Sequence, residues 1–377
     1  MHRVMHVITG LSVGGAEMAL YRLATCNSSD YRHAVVSLTT GGGLRKQFIE
    51  AGVDLVTFDF KKAPISQFWK LVLLIRRERP DIVQTWMYHA DLIGGLAARI
   101  AGIDRVVWGV HSTRLVRGST SALTPAVRRV CAWLSRVVPS TIVCVAEAAR
   151  RAHLVAGYDS ARMVVVPNGF DLSRFTPATH HRAALRSRYG IADHDILIGT
   201  VARFNPVKDP KNFVDAAGTI CARHPEARFV MIGKGMDASN TTLMAWIERT
   251  GHRHRFLLLG ERSDVVDCYA AMDAFCLHSR SEAFPLAVGE AMAMELPCVV
   301  TDVGDASLMV GDTGVVVSRE DPAALARGLE NLLALSADER RRMGQRARAR
   351  IEMDYSMERA RERFETIYRQ TVAEGVS

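Results

Sequence analysis

The sequence predicts an α/β protein of two successive doubly wound parallel-sheet units that face each other across a cleft. Three observations lead there. The chain has 377 residues, too many for one ordinary core and suited to two domains of about 150–200 residues each. Short apolar runs alternate with helical patterns nearly throughout, as in a parallel sheet covered on both faces. The alternation then restarts after a polar, Pro-containing stretch near 170–190, FDLSRFTPATHHRAALRSRYG, which reads as the link between units. The expected domains are 1–172, with a C-terminal helix at 356–377 packing back on it, and 173–355.

In the first unit RVMHVIT is a strand that runs through a glycine turn into the helix GAEMALYRLAT. The strands HAVVSL, VDLVTFD, DIVQTW, RVVWGVH and TIVCVA follow, with the helices GGLRKQFIEAG, ISQFWKLVLLIRRERP, HADLIGGLAARIAG and EAARRAHLVAGY among them. MVVVPNG closes the half. In the second unit DILIGTVAR, ARFVMIGKG, RFLLLGE, AFCLHS and LPCVVTD are strands. PKNFVDAAGTICARHP, VVDCYAAM, PLAVGEAMAM and PAALARGLENLLAL are its helices, and a charged helix from about Ser356 to Thr371 ends the chain. In open sheets of this kind ligands bind at the carboxyl ends of the strands.

Bulk properties narrow the class. Hydrophobic residues make up 48% and charged residues 23%, ordinary for a soluble domain. No run of ~20 apolar residues predicts a membrane span. MHRVMHVITG lacks the long apolar segment and cleavage site of a secretion signal, so a cytoplasmic location is expected. The seven cysteines form no C-x-x-C pair and are expected to be buried free thiols, with no zinc site. Residues 1–170 hold 21 Lys+Arg against 11 Asp+Glu, a net of +10; the remainder holds 27 against 29, a net of −2. The positive excess in the first half favours anionic partners: nucleic acid, a bilayer surface or a phosphate-bearing lipid.

Four stretches carry candidate chemistry. In TGLSVGGAE, Gly14 and Gly15 give a tight turn before a helix whose N-terminus suits a phosphate. The spacing is not G-x-G-x-x-G, and a plain strand-to-helix turn reads equally well. In SEAFPLAVGEAMAMELPCVVTD, Glu282 falls in the loop after a strand and Glu290 about two turns into the next helix. Two carboxylates so placed can accept from hydroxyls of one extended ligand while free amides at the helix start hold a diphosphate. Spacing alone also fits two solvated glutamates. GTVARFNPVKDP puts Arg203 and Lys208 in the loop after the first strand of the second unit, where two cations can neutralise a developing diphosphate charge. His111 ends a strand of the first unit.

Together these pieces resemble glycosyltransferase family 4 of the GT-B fold, in its bacterial surface-polysaccharide form. The resemblance rests on GGAE at 14–17, His111, PNGFD at 167–171 with Phe175 and Pro177, VARFNPVKD at 201–209, IGKG at 232–235, and the Glu282 block through PCVVTD. They occur in the family's order and cover nearly the whole chain. The resemblance implies a retaining hexosyltransferase that uses a UDP- or GDP-sugar. Arg203 and Lys208 would bind the donor diphosphate, Glu282 the transferred sugar and Glu290 the ribose. Amides of Phe284, Leu286 and Ala287 would meet sugar and phosphate, and Gly260 would border the base. Gly14 and Gly15 would admit phosphate and acceptor, and His111 would sit over the donor sugar. Two departures stand out: Ala283 where the family often has Gly, and VGDASLMVGDTG without the family's later glutamate.

No well-placed nucleophile stands out, so front-face attack is expected, with the leaving phosphate taking the acceptor proton. The fold type implies no metal or other cofactor, since Arg and Lys supply the charge. The acceptor is expected to be lipid-linked. KKAPISQFWKLVLLIRRERP and TRLVRGSTSALTPAVRRVCAWLSRVV join apolar and basic faces that suit the inner surface of an anionic bilayer, or equally a core-facing helix with a solvated side. An epimerase or phosphorylase, and a non-catalytic nucleotide-sugar binder, remain alternatives. Nucleic acid is not expected, because no recognised module or stacking motif accompanies the basic half.

Overall fold

The computed structural model describes residues 1–26, 30–113, 123–177 and 179–374. The chain divides into two compact units, Met1–Gly169 with Met357–Ser377, and Phe170–Ser356. The division falls three residues before the expected 172/173, because the Phe170 N–H donates to Tyr355 O (2.8 Å) and Phe170 pairs with Ser356 as an isolated bridge.

The first unit runs β1 (His2–Ile8), α1 (Gly15–Thr25), β2 (Tyr31–Ser37), α2 (Arg45–Glu50), β3 (Asp54–Thr57), α3 (Pro64–Glu78), β4 (Ile82–Trp86), α4 (Tyr88–Ile100), β5 (Val106–Val110), α5 (Thr124–Leu134), β6 (Thr141–Cys144), α6 (Glu147–Val155) and β7 (Met163–Val165). Its seven strands lie in the order β3-β2-β1-β4-β5-β6-β7, every pair parallel. The second unit runs α7 (Thr179–Arg188), β8 (Ile196–Val201), α8 (Pro210–Cys221), β9 (Ala227–Ile232), α9 (Thr241–Arg249), β10 (Phe256–Gly260), α10 (Val265–Ala271), β11 (Ala274–Leu277), α11 (Leu286–Ala293), β12 (Cys298–Thr301), α12 (Ala306–Val310), β13 (Gly314–Val317), α13 (Pro322–Leu333) and α14 (Ala337–Asp354). Its six parallel strands follow the order β10-β9-β8-β11-β12-β13. The central strands β4, β5 and β12 are buried along their whole length, as expected when helices cover both faces. The order reverses between β1 and β4 and between β8 and β11, the places where such sheets open a crevice.

Several features differ from the sequence expectation, among them helix α9, which was not read from the sequence. The stretch read as a polar link contains α7. Its helix is held by ion pairs rather than by an apolar stripe: the Arg182 and Arg186 guanidiniums grip Asp273 at 2.6 and 3.0 Å, and Arg186 also donates to the Ala192 and Asp195 carbonyls. The run 303–314, read as a loop, contains α12, and a sixth strand, β13, not read from the sequence, begins at its last residue. Helix α14 begins at a capping box of Ser336 and Glu339, an S-x-x-E signal present in the sequence.

The last helix, α15 (Met357–Glu374), belongs to the first unit. Its Phe364, Ile367 and Tyr368 join Val4, Ile8 and Trp86 in one core, and the Tyr368 hydroxyl donates to Gln84 Oε1. Six of the seven cysteines are buried and none is in a disulfide; burial pushes the Cys221 and Cys268 thiols up to about 11.

Candidate functional site

In the second unit the candidate residues follow β8 and β11, the neighbouring strands at the reversal. Lys208 Nζ donates to Glu282 Oε1 at 2.6 Å, and Ser279 Oγ donates to the same oxygen at 2.6 Å. The carboxylate is largely buried, which strengthens both charge-assisted bonds. The Lys208 loop is held from below by His278, at the end of β11. Its Nδ1 faces the Lys208 and Asp209 carbonyls at 2.5 and 3.1 Å, and its Nε2 faces Thr200 Oγ1 at 2.9 Å. Carbonyls only accept, so the proton is on Nδ1 and Nε2 receives the threonine hydroxyl. Burial lowers this imidazole to about 4 and keeps it neutral. Asp209, in a left-handed conformation (φ 51°), pairs with Arg280 at 2.9 Å, and Arg280 also reaches Glu320 at 3.5 Å. His278, Ser279, Asp209 and Arg280 were not singled out in the sequence. Ser279 lies three residues before Glu282 and offers the clearest missed signal.

Arg203 is exposed just past β8 and lies outside the Lys208–Glu282 contact. The strand end carrying it is approached by Gly233 of IGKG: at φ +132° a Cβ there would stand 2.2 Å from Ala202 O, so the close approach needs glycine. Gly260 ends β10 at φ +63°, and its carbonyl accepts from the Gly233 N–H at 2.7 Å.

Glu290 sits just over one turn into α11, nearer the helix start than the two turns expected. Its Oε2 accepts from Tyr269 Oη at 3.2 Å; burial first, then Glu290, holds that phenol protonated far above its ordinary range. The N-terminal end of α11 presents Phe284, Leu286 and Ala287 around Pro285, which has no N–H. Phe170 of PNGFD supports this helix. A Cβ on Gly289 would come 2.0 Å from the Phe170 ring, which in turn stacks on Phe284 at 6.0 Å. The divergent run after β12 also has a visible job. Gly304 lies so close that a Cβ would be 2.5 Å from Ala283 O, and the Asp305 N–H donates to that carbonyl at 3.0 Å. The 303–305 turn therefore buttresses the Glu282 loop through backbone contacts.

In the first unit Gly14 is the N-cap of α1 and Gly15 its exposed first residue. A Cβ on Gly14 would meet Glu17 Oε2 at 2.4 Å, and burial raises that carboxyl. His111 follows β5 and stacks on Trp86 with ring centroids 4.9 Å apart and planes 23° apart. Burial lowers it to about 4, so it is a neutral imidazole. Beside it Tyr88 Oη contacts Ser112 Oγ and His153 Nε2, each at 2.8 Å. Thr85 Oγ1 donates to the fully buried Asp91 at 2.6 Å, and burial pushes that carboxyl up to about 7. Met87, between β4 and α4, has φ 76°, a strained value for a side-chain-bearing residue, at the strand end beside these groups.

Comparison with known proteins agrees with this layout. Residues 13–174 match the model described as Glycosyltransferase Family 4, and residues 181–350 the model described as Glycosyl transferases group 1. The chain belongs to the family 4 glycosyltransferases. It is 30% identical over 246 residues (64% of this chain, 62% of the relative) to the Escherichia coli UDP-Gal:alpha-D-GlcNAc-diphosphoundecaprenol alpha-1,3-galactosyltransferase. It is 34% identical over 229 residues (58% and 49%) to a D-inositol 3-phosphate glycosyltransferase of Nocardia farcinica. The chain thus spans about half to three-fifths of the length of these curated relatives. Among solved structures, Anabaena HepE in complex with UDP superposes with a TM-score of 0.85 at 21% identity, covering 97% of this chain and 98% of that one. WaaG, a glycosyltransferase involved in lipopolysaccharide biosynthesis, does so with a TM-score of 0.70 at 16% identity, covering 97% and 99%. The GT-B fold is shared.

This family 4 chain also contains an acidic triplet, Asp193-His194-Asp195. It precedes β8, at the amino edge of the sheet, away from the loops that follow β8 and β11. Asp195 is committed to the Ala192 N–H at 2.8 Å and to Arg228 at 3.4 Å. Among the described residues no group of three His, Cys, Asp or Glu side chains is gathered for a metal ion.

Proposed function

We propose that the chain is a retaining glycosyltransferase that moves a hexose-type sugar from a nucleotide-sugar donor, a UDP-sugar before a GDP-sugar, to a lipid-linked glycan acceptor. The observation that carries the donor half is the Lys208–Glu282 contact at the β8/β11 reversal. One cation and one acid meet where a sugar diphosphate needs both. The UDP named for the E. coli relative and for the Anabaena complexes supports the choice of base.

In this reading Lys208 and Arg203 neutralise the departing diphosphate, and Glu282 accepts from hydroxyls of the transferred sugar. Glu290 accepts from the ribose, and amides around Phe284, Leu286 and Ala287 hold phosphate and sugar. Gly260 lies beside the base. Acceptor handling falls to the first unit, through Gly14, Gly15 and His111. Because Arg203 and Lys208 supply the positive charge, no metal or other cofactor takes part. The acceptor hydroxyl attacks on the face from which the diphosphate leaves, and a phosphate oxygen takes its proton. Positioning and charge stabilisation then supply the rate.

The lipid-linked acceptor is supported by the diphosphoundecaprenol named for the E. coli relative. A peripheral site on an anionic membrane face is supported by two helices that both pack against α4. Helix α3 exposes Ile65, Trp69 and Leu73, and α5 exposes Val130 and Trp133, with Val137 exposed three residues beyond its end. No acidic residue occurs in 60–77 or in 105–146. Residues 114–122 of the second basic segment lie outside the described residues. No helix among the described residues is long and apolar enough to cross a membrane. The decisive experiment incubates the purified protein with UDP- and GDP-sugars and an undecaprenyl-diphosphate-linked GlcNAc, scoring transfer and the anomeric configuration of the product. Transfer with retention supports the reading; binding of donors without hydrolysis or transfer favours the non-catalytic binder.

A further inference from the structure

Four ring systems stand in a row across the first sheet. His33 is on β2, His6 on β1, Trp86 on β4, and His111 just past β5, and these four strands are consecutive neighbours in the sheet. Trp86 Nε1 donates to His6 Nδ1 at 3.2 Å, His6 Nε2 meets His33 Nδ1 at 2.8 Å, and the Trp86 indole carries the His111 ring on its face. Trp86 and His6 are completely buried.

The direction of this chain is fixed by donor chemistry. An indole N–H only donates, so His6 Nδ1 must hold a lone pair. A fully buried imidazole with one nitrogen facing a donor is neutral, which places its proton on Nε2. Nε2 therefore donates, and His33 Nδ1 accepts. Burial lowers both imidazoles below their ordinary range, in agreement with this arrangement. The indole is thereby held at its edge by His6 while its face supports His111. Rotating Trp86 would leave a buried N–H without an acceptor.

We infer that His6, oriented by His33, is a positioning residue that sets the ring of His111 through Trp86. The inference rests on the reading of His111 as an acceptor-side residue of a sugar transfer. Its physical content, a defined tautomer and a locked platform, stands apart from that reading and is measured separately.

The test begins with the unaltered protein and ring-¹⁵N-labelled histidine. The proposal expects His6 with an unprotonated Nδ1, a protonated Nε2 and a coupling across the Trp86 indole N–H; a His6 protonated at Nδ1 overturns it. The His6→Leu variant removes the acceptor, while His6→Asn places an amide oxygen near where Nδ1 stood. His6→Leu is expected to shift the His111 ring signals and to lower kcat by about tenfold or more, since small misplacements of a reacting-site group carry losses of that size. Donor KM should change less than about twofold, because the charged donor residues lie in the other unit. His6→Asn should recover most of both effects. Wild-type His111 signals and kcat in His6→Leu overturn the proposal. A wild-type protein that transfers no sugar counts against the functional reading alone, and the ring signals still decide the link from His6 to His111.

Discussion

The two units build the same sheet reversal and finish it with opposite chemistry. At the β8/β11 reversal the second unit ends in charge: a lysine on a glutamate, an arginine nearby and an arginine–aspartate pair behind them. At the β1/β4 reversal the first unit ends in neutral rings, His6, Trp86 and His111, with a strained Met87 beside them. The bulk charge runs the other way, since residues 1–170 carry the net +10. Net charge is therefore no guide to where the residues proposed to grip the diphosphate lie. Most of the first unit's excess lies on helical faces and loops, where it would favour anionic surfaces. The charges proposed to grip the diphosphate are few and depend on placement.

The comparison breaks most readily at Lys208. If the second unit alone binds the donor, Lys208→Ala should weaken UDP-sugar affinity by about 100-fold, in line with roughly 3 kcal/mol for charge-assisted bonds to phosphate. Arg203→Ala should act in the same direction, and His111→Ala should leave donor affinity within about twofold. Titration calorimetry with UDP and the UDP-sugar reads all three. Unchanged affinity in both cation variants would remove the charged half of the contrast.

The next effect is structural. Gly289→Ala forces a methyl into the Phe170 ring, which is fully buried and cannot withdraw. Overpacking of this kind costs about 1–3 kcal/mol and should lower the melting temperature of the second unit by several degrees. It should also reduce donor binding, because the same helix presents Glu290. A melting curve identical to that of the wild type would mean that Phe170 does not pin the helix.

Acid should separate the units further. His33, His111 and His153 are lowered to about 4 and His6 well below 6.5, all by burial, whereas the second unit has the comparable His278. A lowered imidazole lets the unfolded chain bind a proton that the native state refuses. Stability is thus complete above about pH 6.5 and falls as pH drops toward 4. Asp91, raised to about 7, opposes this: its native state keeps a proton that the unfolded chain loses above about pH 4, so its contribution improves as pH falls. Two raised carboxyls, Asp91 and Glu17, against five lowered imidazoles, His89 included, leave the first unit the more acid-sensitive. Calorimetric scans between pH 7.5 and 4.5 should show its transition moving down faster than that of the second unit; parallel movement would contradict the buried-imidazole account.

Much of this was readable from the chain. Much of the strand and helix order followed from apolar runs, and the order of the motifs singled out Arg203, Lys208, Glu282 and Glu290, of which the structure joins Lys208 to Glu282. What escaped was held by contacts distant in sequence. Helix α7 has almost no apolar face and exists because Arg182 and Arg186 reach Asp273, nearly ninety residues on. His278 touches Lys208 and Thr200 across about seventy residues, and Trp86 touches His6 across eighty. A histidine closing an apolar run gives no local hint of such a partner. The Gly304 turn looked like a departure from the family pattern because its work is done by backbone approach, which no side-chain motif reports.

The smallest expected effect concerns the surface of the first unit. Trp69 is 53% exposed and Trp133 70% exposed, each with an apolar neighbour four residues away and exposed Lys or Arg beside it. Aromatic and basic side chains interleaved in this way suit the headgroup region of an anionic bilayer, where each Lys or Arg contributes about 1 kcal/mol. Trp69→Ala and Trp133→Ala together should reduce sedimentation with phosphatidylglycerol vesicles several-fold and leave binding of the UDP-sugar intact. Arg129→Ala and Arg136→Ala should lower the salt sensitivity of that sedimentation. If instead neither pair changes vesicle binding while lipid-linked acceptor is still used, the positive excess of the first unit serves something other than a membrane. The contrast between a charged donor unit and a membrane-facing acceptor unit would then lose its second half.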